Sequence, residues 1–230
     1  MNSTRREKRR IATIDDIKST AWKQVAEQGA ASLSLRAIAR EMDMTAPGLY
    51  RYYKDRDALV TALLIDAFNS FSDDLEAARD ACDVNDHIGR FRAISKAYFR
   101  WAAGDPQKYL FLFGTPIPGY QFAEELGPSA QRSFLILQGV IGEAYAAGKI
   151  TGELTALRMQ SGLKAQYEAL RRMGLPYVPM VTHLALAMWS MMHGMTSLFI
   201  YGYFTGFLGA QVELFVDYEI EKMVRMLGLE

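Results

Sequence analysis

Apolar residues recur along this 230-residue chain at spacings of three and four from Ile14 to Leu227, and no stretch alternates over a strand's length. That spacing is the helix's own, because residues three and four apart share one face of a 3.6-residue turn. The pattern predicts ten helices and an all-α protein. The first runs from about Ile14 to Gln28, with Ile17, Ala21, Trp22 and Val25 on its apolar side and Gly29 after it. Two short helices lie between Ser34 and Lys54. A long fourth, about Asp55 to Ala81, carries Leu64, Phe68, Phe71 and Leu75, and a fifth, about Asp86 to Ala103, repeats Phe91, Ile94, Tyr98 and Trp101. After Pro106 a sixth bears Tyr109, Leu110 and Phe113; Thr115 to Gly119, with two prolines and a glycine, is a loop. A seventh covers about Pro128 to Ala147, with Phe134, Leu137, Ile141 and Tyr145. Gly148 and Gly152 bracket the turn to an eighth, about Glu153 to Met173, with Leu163, Tyr167 and Leu170. The last two run from about Pro179 to Phe204 and from Gln211 to Leu227.

The most specific chemistry lies between Ser34 and Leu59. Leu35, Ile38, Ala39 and Met42 give a short helix one apolar face, and Ser34 before it can accept a hydrogen bond from a first-turn amide. Asp43 then stands where the chain must turn, one of the few residues besides glycine that tolerates a left-handed backbone. Thr45 is placed to cap the next helix, and Pro47 fits its first turn, where an amide is surplus. Leu49 and Tyr53 form the inner side of that helix. Thr45, Ala46, Gly48, Arg51, Tyr52 and Lys54 form an outer side that is small, polar and free of acids. A helix held from behind and presenting such a face is what reading the major groove of DNA requires. The bland alternative is a solvated helical hairpin.

The run from Met42 to Leu59 resembles the N-terminal motif of the TetR family of bacterial transcriptional regulators. That motif shows a turn residue and Val-Ser, then Leu-Tyr, a His or Tyr with an aromatic after it, and a Lys-Glu pair leading to Leu. Here Asp43 stands for the turn Gly, Met44 for Val, Thr45 for Ser and Arg56-Asp57 for Lys-Glu, and each replacement can fill the role. The resemblance implies a DNA-facing set of Arg36, Thr45, Ala46, Pro47, Gly48, Tyr50, Arg51, Tyr52, Lys54 and Arg56. Within it Tyr50, Lys54 and Arg56 would hold phosphate, and Arg36 would reach backbone or base from the preceding helix; Arg51 and Tyr52, by their place on the outer face, are expected to discriminate bases. A second likeness joins Trp189, His193 and Gly194 to Asp105-Pro106 and Gly114 to Gly119. These resemble the C-terminal ligand-binding domain of a TetR subgroup that carries Trp, His and Gly in that order. The likeness implies a cavity among helices four to eight and a homodimer built on a four-helix interface.

Charge sharpens this picture. The net charge is zero, yet residues 1–60 hold twelve Lys or Arg against eight Asp or Glu, and the remainder holds fourteen against eighteen. The excess is densest in Arg5-Arg6-Glu7-Lys8-Arg9-Arg10, expected as a solvated, disordered arm that orders along phosphates on binding. The single cysteine, Cys82, excludes an internal disulfide framework and fits a reducing compartment. No apolar run follows the basic start, so no signal peptide is expected and the cytoplasm is the expected location. The 40 residues from Met173 to Val212 contain no Lys, Arg, Asp or Glu. That length could hold a membrane span of about 20 residues. The prolines, histidines and threonines within it favour a buried, dimer-forming helix instead, and no membrane partner is expected.

Catalytic chemistry is hard to find. His87, His183 and His193 lack ligand spacing, and there is neither a Gly-rich phosphate loop nor a GxSxG elbow, so neither enzyme activity nor a metal or cofactor is expected. Aromatics at helical spacing are candidates to line a pocket for a small, mostly apolar ligand: Phe68, Phe71, Tyr98, Trp101, Phe113, Phe134 and Tyr167. The stripe Leu184, Met188, Met191, Met195 and Leu198, with Val212, Val216 and Met223 of the last helix, is the expected dimer interface. The reading is a three-helix DNA-binding head over residues 1–54 and a larger helical ligand-binding and dimerisation domain over 55–230. Its function is that of a homodimeric repressor released from a palindromic operator by ligand. The rival is a DNA-binding module whose C-terminal domain only assembles or binds a protein partner; a weaker one is a membrane-associated sensor.

Overall fold

The computed structural model describes residues 4–156, 159–172 and 178–229, and no strand occurs among them. Ten α-helices do: α1 (Arg5–Gln28), α2 (Leu35–Glu41), α3 (Ala46–Tyr50), α4 (Arg56–Asp80), α5 (His87–Gly104), α6 (Pro106–Phe113), α7 (Gly127–Ala146), α8 (Ser161–Arg172), α9 (Pro179–Ile200) and α10 (Val212–Leu227).

Local signals set most of their ends. The Ser34 hydroxyl accepts from the Ala37 amide at 3.4 Å, and the Thr45 hydroxyl from the Gly48 amide at 3.2 Å, so both expected caps form. Four helices close with one motif, in which the residue past the end is left-handed and two amides fold back on the last-turn carbonyls. α7, α9 and α10 use Gly148, Gly202 and Gly228 there, and α2 uses Asp43 at φ 53°. Gly202 is thus a helix stop, and α9 ends at Ile200 rather than at Phe204. The expected disordered arm is a correction: α1 begins at Arg5, with Thr4 accepting from the Glu7 amide at 3.3 Å. Arg and Lys are strong helix formers, and extending a helix already nucleated costs far less than starting one. The eighth element also begins late, as a 3₁₀ turn at Glu153–Ala156 and then α8. Leu163, expected inside, is exposed, while Tyr167 is buried; the Leu170 side chain and Met173 lie outside the described residues.

The chain divides into two compact units, Met1–Phe68 with Gln107–Ala130, and Asn69–Pro106 with Gln131–Glu230. The expected boundary at 54/55 therefore moves. Leu59, Val60, Leu63, Leu64 and Phe68 of α4, with Phe111 and Leu126, share one core with Ile17, Ala21, Ile38 and Leu49 of the head. In the second unit α5 packs on α9 and α10, and Arg92–Glu221 and Lys96–Asp217 pair across α5 and α10 at 2.6 and 2.9 Å. Arg132 of α7 holds Asp73 and Glu76 of α4. The start of the 151–156 turn crosses the end of α10 so closely that a Cβ on Gly152 would sit 2.1 Å from the Met226 carbonyl oxygen. The Gly152 amide donates to the Leu227 carbonyl at 3.0 Å across that crossing.

The expected dimer stripe is corrected as well. Leu184, Met188 and Met195 of α9 and Val212, Val216 and Met223 of α10 are buried inside this one chain, Met188 completely. A side chain with no surface in the protomer has none to give a partner. Met191 is half-buried and Leu198 is exposed. α9 is apolar on every side, so it could face inward on either of two stripes, and the one packed on α5 and α10 is the stripe the pattern assigns to the partner.

Candidate functional site

In the head, α2 and α3 are joined by the Asp43 turn, and Leu35, Ile38, Ala39 and Leu49 face the core. The Gln24 side chain, itself buried on α1, accepts from the Ser34 amide at 2.8 Å and so fixes where α2 begins. α3 is shorter than the pattern suggests. After Tyr50 the Tyr52 amide reaches the Leu49 carbonyl at 2.8 Å, tightening the last turn, so Arg51, Tyr52 and Lys54 follow the helix rather than ride on it. Tyr53 returns to the core, where burial pushes its phenol up to about 12 and keeps it neutral. Arg36, Thr45, Pro47, Tyr50, Arg51 and Lys54 are exposed on the described surface, and Ala46 and Tyr52 are half-buried. Gly48, expected outside, is buried, with its amide taken by the Thr45 cap.

Two features that are separate in the sequence come together here. Arg5, Arg6, Glu7, Arg9, Arg10 and Thr13 of α1 line one open cleft of about 590 Å³ with Arg51 and Tyr52. Five arginines against one acid make a surface suited to a polyanion, and the cleft joins the first turns of α1 to the residues that follow α3. Arg56 is a correction in the other direction. Its guanidinium donates to backbone carbonyls at Leu33, Ala30 and Pro118 between 3.2 and 3.3 Å, so it is turned into the protein rather than toward a phosphate.

The second unit gathers aromatic rings. Phe71 meets Tyr98 edge to face at 4.9 Å and Trp101 at 4.8 Å, and Trp189 lies 5.3 Å from Tyr98 and 5.9 Å from Phe134. His193, one turn beyond Trp189 on α9, pairs through Nδ1 with the Tyr98 hydroxyl at 2.9 Å, and burial pushes its imidazole down. Of the expected pocket residues, Phe71, Tyr98, Trp101 and Phe134 therefore converge. Phe68 and Phe113 do not: they belong to the first unit and meet each other at 5.9 Å. Tyr167 pairs with His183 at 3.1 Å, ten residues and so about 15 Å back along α9 from His193. In the sequence Trp189 and His193 stand out only as a motif; their spacing of four on one helix face is the available signal for their place in the cluster. Among the described residues no group of three or more His, Cys, Asp or Glu could hold a metal, and no helix is long and apolar enough to cross a membrane.

Comparison with known proteins agrees with this geometry. Residues 17–63 match the family model of bacterial regulatory proteins of the tetR family, and residues 91–223 match the tetracyclin repressor-like C-terminal domain. An HTH-type transcriptional regulator of Mycobacterium tuberculosis is 33% identical over 186 residues, spanning 78% of this chain and 77% of that protein. The crystal structure of SCO4313, described as a regulatory protein, superposes with a TM-score of 0.77 at 34% identity, covering 96% of this chain and 99% of that one. AibR, solved in complex with isovaleryl coenzyme A and operator DNA, shares the fold at a TM-score of 0.60 and 17% identity, over 94% of this chain and 99% of its own. With a helix-turn-helix whose caps and turn are all in place and family matches over both units, the chain belongs to the TetR family of DNA-binding bacterial transcriptional regulators.

Proposed function

We propose that the chain is a homodimeric repressor, acting in the cytoplasm on a palindromic operator and released from it by a small, mostly apolar ligand. The observation that carries the ligand half is the cluster of Phe71, Tyr98, Trp101, Phe134 and Trp189 around the Tyr98–His193 pair. Rings supply apolar and stacking surface, while a phenol and a neutral imidazole can orient one polar group of a bound molecule. Phe71 lies on α4, which runs unbroken from Arg56 to Asp80 and so passes from the first unit into the second. A ligand that displaces Phe71 acts on that helix directly, and a shift of α4 alters the spacing at which two heads enter successive major grooves. AibR, with an acyl-coenzyme A and operator DNA in one crystal, supports this architecture as one that serves both partners.

The homodimer reading rests on a surface that shares Leu198 with the stripe expected of α9 and α10 and otherwise differs from it. Leu198, Tyr201, Tyr203, Phe207, Leu214 and Tyr218 are all exposed, Phe207 and Tyr218 by 73% and 72%. They fall at the end of α9, in the segment after it and on α10. Apolar exposure of that density is unusual on a monomer and suits a partner surface. The rival reading, a second unit that only assembles or binds protein, draws on the tight packing of Phe71 and Tyr98, which are 0% and 1% exposed. Trp101 and Trp189 separate the two. Neutral aromatic compounds should quench their emission, and a compound that does so should weaken operator binding. Quenching with no change in DNA affinity contradicts a ligand-released repressor.

A further inference from the structure

The chain leaves the second unit at Gln107 and returns to it at Gln131. Within that excursion the loop after α6 is fastened to the head by polar ties that centre on Arg56. Nε donates to the Leu33 carbonyl at 3.2 Å, Nη2 to the Ala30 carbonyl at 3.2 Å and Nη1 to the Pro118 carbonyl at 3.3 Å. The first two carbonyls belong to the turn that delivers Ser34 to the start of α2; the third belongs to the loop. Further along α4, Thr61 gives its one proton to the Asp57 carbonyl at 2.9 Å, so the Tyr120 phenol, also at 2.9 Å, must be the donor to Thr61. Ile117 and Tyr120 pack on the head core, and Phe111 of α6 meets Trp22 of α1 edge to face at 4.9 Å.

We infer that Arg56 is a positioning residue for DNA binding, which straps the Thr115–Tyr120 loop to the turn preceding α2 and makes that loop a working part of the DNA-binding unit. The carbonyls of Ala30 and Leu33 lie at the mouth of the helix-turn-helix, and a guanidinium presents a planar fork of N–H donors that can hold both while reaching Pro118. A lysine carries a single ammonium on a flexible stem and cannot span the three. Because the Arg56 N–H groups are taken by backbone carbonyls and its charge is paired with the Asp57 carboxylate at 3.7 Å, it has no direct phosphate contact to make and no counterion to release through one. That gives it a signature distinct from a phosphate contact. Each phosphate-holding cation steepens the dependence of log affinity on log salt by about 0.9, whereas a positioning residue changes affinity and leaves the slope alone.

The test uses the full chain and a duplex that the unaltered protein enriches from a random-sequence pool. Affinity is measured by fluorescence anisotropy between about 50 and 200 mM salt, the range over which counterion release is most visible. Arg56→Ala and Arg56→Lys should each bind about tenfold more weakly with an unchanged salt slope, near the lower end of what losing one good base contact costs. Tyr120→Phe should weaken binding by a smaller factor, again at constant slope. Amide hydrogen exchange at residues 30–33 should quicken in all three. A slope shallower by about 0.9 in Arg56→Ala, restored by Arg56→Lys, would show a phosphate contact and overturn the inference. Unchanged affinity in the Arg56 variants overturns it too. Should Arg56→Ala not fold, Tyr120→Phe decides alone: weaker binding with faster exchange at residues 115–120 supports the strap, and normal affinity with normal exchange refutes it.

Discussion

α2 and α9 end on the same hydrogen-bond motif and differ in almost everything else. α2 has 7 residues, one apolar face, a side-chain cap at its start and Asp43 at its stop. α9 has 22 residues, begins at Pro179 with no side-chain cap, and carries no Lys, Arg, Asp or Glu. A helix with one apolar face can pack in one orientation, so its outer residues are known once it is known to be a helix. A helix that is apolar all round can bury either of two stripes, and the choice belongs to its neighbours. The head thus follows from one-residue and one-helix rules, while the faces of α9 and α10 are settled only by the packing of the second unit.

The largest effect that tests this contrast comes from placing one charge on each side of α9. Met188→Glu buries a carboxylate in the protomer core, at a cost of roughly 3–5 kcal/mol or more, comparable with the whole stability of many domains. Leu198→Glu alters an exposed position, so sedimentation should show a lighter species that is still folded, with a midpoint lowered only by the stability that dimerisation had added. A stable Met188→Glu variant that dissociates cleanly would restore the buried stripe as the interface.

Arg51 and Lys54 make the next comparison, both exposed and both beyond the end of α3. Arg51→Ala should change base preference at one position per half-site, at a cost of about 1–3 kcal/mol if it pairs with guanine. Lys54→Ala should weaken every duplex alike, because phosphate contacts carry no sequence information. Binding to a panel of single-base variants distinguishes the two, and equal profiles would remove the distinction between their roles.

Asp43 offers a smaller effect. A β-branched residue there bears the left-handed penalty in full, so Asp43→Val should cost about 1–2 kcal/mol, whereas Asp43→Gly should cost nothing measurable in chemical denaturation. Smallest is the pH response of the second unit. Burial depresses the His193 pKa, so below about pH 6.5 the unfolded chain binds a proton that the folded chain resists. Stability should be complete above that pH and fall as pH drops toward the depressed value. His193→Gln should flatten the melting temperature between pH 7.5 and 5; an equally steep fall in the variant would assign the effect elsewhere.

These contrasts also mark what is legible in the residues. Ser34, Asp43 and Thr45 announce their roles because capping and left-handed turns depend on the residue itself. Phe71, Tyr98, Trp101 and Phe134 are recognisable as aromatic faces, but their convergence on Trp189 and His193 depends on how four helices pack. The helical start of α1 is written in its Arg and Lys content, and density of charge obscures it. Arg56 is beyond reach. Its carbonyl partners lie 23, 25, 26 and 62 residues away, and nothing in an arginine's identity says whether it turns to DNA or to its own backbone.

The joining of the basic first turns of α1 with Arg51 into one DNA-facing cleft is the central claim, and the salt dependence of DNA binding tests it most directly. A variant with Arg5, Arg6, Arg9 and Arg10 all changed to Gln keeps the helix formers and removes the charge. Its slope of log affinity against log salt should be shallower than that of the unaltered chain by about 0.9 for each phosphate it no longer holds, with an unchanged melting temperature. An unchanged slope would place the DNA elsewhere and contradict the account.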